Sequence, residues 1–98
     1  MNRPECLEEA RKCVCGDRPL DYGTPESSFS AIAKLWSCYK GVEFSAIDIA
    51  LMMALLKIAR IQTGVAKADS FVDLAGYAAC GCEIATGGQN AQKEVIRD

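Results

Sequence analysis

The sequence predicts an all-α fold: one domain over residues 1–98, built as a small bundle of three to four helices with a central apolar helix. Three observations lead there. Apolar side chains recur at three- and four-residue spacing through most of the chain, and no stretch alternates as a half-buried strand would. Helix-initiating residues precede most of the periodic stretches, and glycines follow them. At 98 residues, half apolar and a quarter charged, the chain has a globular balance and is too short to divide into separate cores.

The first helix is expected over residues 4–14. Pro4 stands near its start, Leu7, Ala10 and Val14 form its apolar face, and Gly16 stops it. Glu8 and Glu9 precede Arg11 and Lys12, the order that a helix dipole favours. Residues 16–24, GDRPLDYGT, form a loop. The second helix opens with Thr24 as N-cap, Pro25 in the first position and Glu26 at the positive end of the dipole. Phe29, Ile32, Ala33, Trp36 and Tyr39 supply its apolar positions, and Gly41 is the left-handed C-cap.

The third helix starts at Ser45, with Asp48 placed for a capping box. It continues as IALMMALLKIARI, apolar on nearly every face, and ends at Gly64. Such a helix belongs at the centre of its fold or in an interface between copies, so a homo-oligomer is expected. The fourth helix is expected from about Asp69–Ser70 to Ala85, with Ser70 and Asp73 in capping-box spacing. Val72, Leu74, Ala75, Ala78, Ala79, Cys82 and Ala85 give it apolar surface. Gly76 and Gly81 lower helix propensity and mark close approach of another helix or a ligand. Residues 86–98 read as a polar tail or a short terminal helix.

Composition excludes several function classes. The chain has no histidine, which removes Ser/His and Cys/His nucleophiles, histidine metal sites and imidazole bases. Eleven basic and 13 acidic side chains give a net charge of −2, unlike a general nucleic-acid binder. No apolar run reaches membrane-spanning length, and the N-terminus lacks the apolar core of a signal peptide, so a cytoplasmic protein is expected. Six cysteines, at 6, 13, 15, 38, 80 and 82, include two Cys-x-Cys pairs. On a helix, positions i and i+2 point roughly 200° apart, which disfavours a shared metal. Buried free thiols are the better expectation, with no metal ligand and no cofactor assigned.

The candidate ligand-binding residues fall in two groups. Lys57 and Arg60 sit three apart on the third helix, and Asp69, Asp73 and Tyr77 form a stripe at four-residue spacing on the fourth. If these helices pack antiparallel, the basic pair meets the acidic stripe. That meeting makes either an ion-pair network that closes the hairpin, or a pocket in which the cations hold a phosphate and the aspartates orient a base or ribose. The loop supplies Asp17, Arg18, Asp21 and Tyr22, with Arg18 suited to clamp an anion and Tyr22 to stack on a ring. Its structural alternative is an ordinary turn held by Asx-type hydrogen bonds.

Three segments in combination, GDRPLDYGTPESSFSAIAKLW, DIALMMALLKIARIQTG and KADSFVDLAGYAA, resemble a family of small proteins encoded by tailed bacteriophages and prophages, over about residues 5 to 85. The resemblance implies an all-helical fold and a phage context in the cytoplasm of an infected bacterium. It carries over no catalytic residue. In that context the expected function is sequestration of a nucleotide-derived immune signal, of cyclic dinucleotide, cyclic oligonucleotide or cyclic ADP-ribose type. Arg18, Asp21, Tyr22, Lys57, Arg60, Asp69, Asp73 and Tyr77 would line the site, and no nucleophile is needed. One alternative is a magnesium-dependent all-α nucleotide pyrophosphohydrolase resembling MazG, with Asp48, Asp69 and Asp73 as metal ligands. The paired Glu-x-x-Glu of such enzymes is missing from the third helix. The other alternative is a protein-interaction module that uses the apolar third helix and Trp36.

Overall fold

The computed structural model describes residues 1–16, 24–65 and 67–87. These contain four helices: α1, Arg3–Cys15; α2, Pro25–Lys40; α3, Ala46–Thr63; and α4, Ala68–Thr86. Each boundary lies within about two residues of its sequence signal, and the all-α class is correct.

The caps explain the boundaries. Asn2 and Glu5 close a capping box at the start of α1, at 2.8 and 2.9 Å. Thr24 accepts the Ser27 N–H at 3.1 Å, and Pro25 follows as expected. Ser45 and Asp48 form the expected box on α3, with reciprocal bonds of 3.1 and 2.8 Å. Gly41 takes φ 71°, the left-handed conformation that lets α2 turn sharply into α3. The start of α4 departs from the sequence signal. Its N-cap is Lys67, with no side-chain bond, and Ser70 lies inside the first turn. The Ser70–Asp73 spacing therefore closes no box, because the helix begins three residues earlier than that spacing requires.

Helices α3 and α4 form an antiparallel hairpin and share the most extensive contact in the fold. Lys57 meets Asp73 and Ala50 meets Gly81, so paired positions run in opposite directions along the two helices. Helix α1 lies along α4 in the same direction. Asn2, Arg3 and Cys6 gather with Ala68 and Phe71, and Cys13 and Val14 gather with Gly76 and Cys80. Helix α2 packs chiefly on α3 and touches α4. The apolar α3 thus lies against α2 and α4, as expected, while α4 packs on α1 and α3 and touches α2.

The core is small. Ala10, Ala33, Ile49, Ala50, Val72 and Cys80 are buried, and Ile49 is the one large side chain fully buried among the described residues. Several expected core residues lie outside it. Leu7 and Tyr39 are exposed because the inward faces are Cys6–Ala10–Cys13–Val14 on α1 and Phe29–Ala33–Trp36 on α2. Trp36 meets Phe44 edge-on, with centroids 6.3 Å apart. On α4 the inward line is Val72, Gly76 and Cys80, which leaves Ala78, Ala79, Cys82 and Ala85 exposed. Only Cys80 of the six thiols is buried, so burial does not account for the others.

Candidate functional site

The site is on α4, with Lys57 of α3 on one side and a small cavity walled by the end of α1 on the other. Lys57 is held there by helix periodicity, because it shares the inward face of α3 with Ala50 and Met53. Its stem runs along the seam, and its ammonium reaches Asp73 Oδ2 at 3.0 Å. The side chains are 17% and 39% exposed, a half-buried pair.

Two glycines let the helices come this close. A Cβ on Gly81 would stand 3.3 Å from Ala50 Cβ, and one on Gly76 would stand 3.1 Å from Val14 Cγ1. Both glycines therefore mark helix–helix approach, on opposite sides of α4. Asp73 and Tyr77, one turn apart, line a cavity of about 90 Å³ together with Cys13, Val14, Val72, Gly76 and Cys80. The Tyr77 ring leans on Phe29, with centroids 6.2 Å apart and planes inclined by 36°. The cavity takes a few waters or one small anion, well short of the ~300 Å³ at which ligand pockets begin.

The fold pairs Lys57 with Asp73 and sets Asp73 and Tyr77 on a small cavity between α1 and α4, which Lys57 does not line. It leaves Arg60 and Asp69 outside the cluster. Arg60 is exposed and makes no ion pair among the described residues, and Asp69 is exposed in the first turn of α4, where the helix dipole favours it. Arg18, Asp21 and Tyr22, with Asp17, lie outside the described residues. The helices on either side of that segment both reach α4, α1 through Val14 on Gly76 and α2 through Phe29 on Tyr77. Asp48, the candidate metal ligand on α3, accepts the Ser45 N–H in its capping box.

Cys13 and Cys80, which the sequence marked as free thiols and not as site residues, line the cavity. The available signal was Gly76, which shares a face of α4 with Cys80 one turn on. Burial pushes the Cys80 thiol above its ordinary range, and the charges of Glu83, Cys15 and Glu26 add to the effect. Such a thiol is a poor nucleophile. Among the described residues no three cysteine, aspartate or glutamate side chains gather to hold a metal. Cys80 is buried and Cys82 exposed, as their helical spacing requires. Among the described residues, no helix is long and apolar enough to cross a membrane.

Fold and site define a small all-helical protein with a short polar cluster set in a tight antiparallel hairpin. The chain belongs to the DUF6378 family, a domain of unknown function, which matches residues 5–85. It is 47% identical over 74 residues to the Gene 55 protein of Mycobacterium phage D29, covering 76% of this chain and 49% of that protein. It is equally identical over 73 residues to the Gene 55 protein of Mycobacterium phage L5, covering 74% and 47%. The phage resemblance is thereby established, and the chain spans about half the length of these relatives. No solved structure matches it.

Proposed function

We propose that this chain is a binding protein that sequesters a nucleotide-derived immune signal of cyclic dinucleotide, cyclic oligonucleotide or cyclic ADP-ribose type, and so counters anti-phage defence in the cytoplasm of the infected bacterium. The observation that carries this reading is the half-buried Lys57–Asp73 pair, whose carboxylate also lines a small cavity with the Tyr77 ring. A ligand phosphate competes with Asp73 for the Lys57 ammonium, and the released carboxylate accepts a ribose hydroxyl or a base N–H. Tyr77 offers a ring edge or face. The cavity accommodates only a phosphate-sized part of such a ligand, so the rest is held by further groups at its rim. Arg60, one turn from Lys57, and the Arg18–Tyr22 segment expected from the sequence are the candidates.

The test is incubation of the protein with cyclic dinucleotides, cyclic oligonucleotides, cyclic ADP-ribose isomers and nucleoside triphosphates, with magnesium. Chromatography follows, before and after heat denaturation. A ligand that disappears and returns unchanged on heating supports sequestration. Retention of no nucleotide removes the proposal. A new product, pyrophosphate above all, replaces it with the hydrolase reading. In that reading Asp48 and Asp73 would first have to leave their capping and ion-pair partners.

A protein-interaction role is the second reading. The specific observation in its favour is the apolar outer face of α3, where Leu51, Leu55 and Ile58 are exposed.

A further inference from the structure

Helix α3 has a second apolar face, opposite the one that builds the core. Leu51, Leu55 and Ile58 are 58%, 61% and 44% exposed, against 0% for Ile49 and 1% for Ala50. Their spacing, four then three, is the d–a–d step of a heptad seam. One heptad on either side of Leu55 the seam closes with polar residues, Asp48 before and Gln62 after. Within it there is no charge.

We infer that this face is where two copies of the chain pair, α3 against α3, antiparallel about a two-fold axis at Leu55. Two arguments select that occupant. First, the stripe is self-complementary. Antiparallel pairing sets Leu55 on Leu55 of the partner subunit, and Leu51 on Ile58 of the partner subunit, so each side chain meets one of like size and chemistry. Second, charge chooses the direction. A parallel pair would bring the two Asp48 carboxylates together and align the helix dipoles, whereas the antiparallel pair sets Asp48 beside Gln62 of the partner subunit and opposes the dipoles.

The exposed parts of the three seam residues and their flanks amount to a few hundred Å² per copy. That places the pair near or below the ~1,200 Å² of total buried area that separates weak interfaces from standard ones. The dimer is accordingly concentration-dependent. It does not rest on the nucleotide reading, since Lys57 lies on the opposite face of α3.

The experiment is sedimentation equilibrium on the full chain from about 10 µM to about 1 mM, a range that spans weak association. A monomer–dimer equilibrium is expected for the native sequence. Leu55→Glu is expected to abolish it while leaving helicity unchanged, because the side chain is exposed, and mixing Leu55→Glu with Leu55→Lys restores it. Direction is tested by mixing Leu51→Glu with Ile58→Lys, which restores pairing only in the antiparallel arrangement. A native chain that stays monomeric throughout, or a dimer indifferent to Leu55→Glu, overturns the interface. Restoration by Leu51→Glu with Leu51→Lys in place of Ile58→Lys overturns the direction.

Discussion

Lys57 Nζ stands 3.0 Å from Asp73 Oδ2 across the α3–α4 seam, with the lysine side chain the more buried of the two. This contact joins the two meanings that the sequence attached to these residues. It closes the helical hairpin, and its carboxylate lines a small cavity together with Tyr77. The two roles separate by mutation.

Lys57→Met keeps the stem that packs along the seam and removes only the charge. With Asp73 more than a third exposed, water screens the pair and solvates the aspartate left behind. The expected loss is about 1 kcal/mol, near the upper end for exposed pairs and well short of a buried one. Urea denaturation of Lys57→Met, Asp73→Asn and the double variant measures the coupling. Lys57→Glu sets two carboxylates together and is expected to abolish retention of a nucleotide signal while far-UV circular dichroism stays native. Loss of the fold instead would make the pair structural.

Gly76 and Gly81 both sit within α4, where alanine would gain about 1 kcal/mol of helix propensity. They are expected to answer differently. At Gly81 the new methyl meets Ala50 Cβ at 3.3 Å, on a buried position that cannot rotate away, so α3 itself must shift. Gly81→Ala is expected to lower the melting temperature. At Gly76 the neighbour is a methyl of Val14, in the last turn of α1, which is freer to adjust. Gly76→Ala is expected to change stability little. Equal melting shifts for the two variants would contradict the packing described.

The Cys80 thiol is held neutral by burial, with nearby acidic groups adding to the effect, so its folded-state pKa lies above the ordinary value of 9.0. A raised folded pKa means that the unfolded chain releases this proton first as pH climbs. Stability is therefore full below about pH 9 and falls as pH rises toward the folded value. Cys80→Ala is expected to flatten that alkaline decline in thermal melts recorded from pH 7 to 11. In native protein at pH 8, alkylation followed by mass spectrometry should modify Cys15, Cys38 and Cys82 well before Cys80.

Ser45 and Ser70 present the same motif to a reader of the sequence and different structures to the solvent. Ser45 accepts the Asp48 N–H, and Asp48 accepts in return, so Ser45→Ala is expected to cost about 1 kcal/mol. Ser70 lies within the first turn of α4 and caps nothing, so Ser70→Ala is expected to be nearly neutral. Chemical denaturation of both variants distinguishes the two positions.

The four helices were legible in the sequence because their signals are local. Thr24–Pro25 and Ser45 with Asp48 start helices, and Gly16, Gly41 and Gly64 stop them, through backbone preferences and hydrogen bonds that reach only a few residues. The close approaches at Gly76 and Gly81 were legible too, since a glycine inside a helix needs a packing reason. Which face of each helix turns inward was decided by the tertiary structure. Nearly every face of α3 is apolar, and α4 carries more apolar positions than one face can bury, so periodicity cannot rank them. Packing placed Val72 and Cys80 inside and Cys82 outside, and it left Leu51, Leu55 and Ile58 facing solvent. The same holds at the seam. Spacing grouped Lys57 with Arg60 and Asp69 with Asp73, but an ion pair depends on where two helices touch along their length. The antiparallel register set by Ala50 against Gly81 brought Lys57 to Asp73 and left Arg60 and Asp69 exposed.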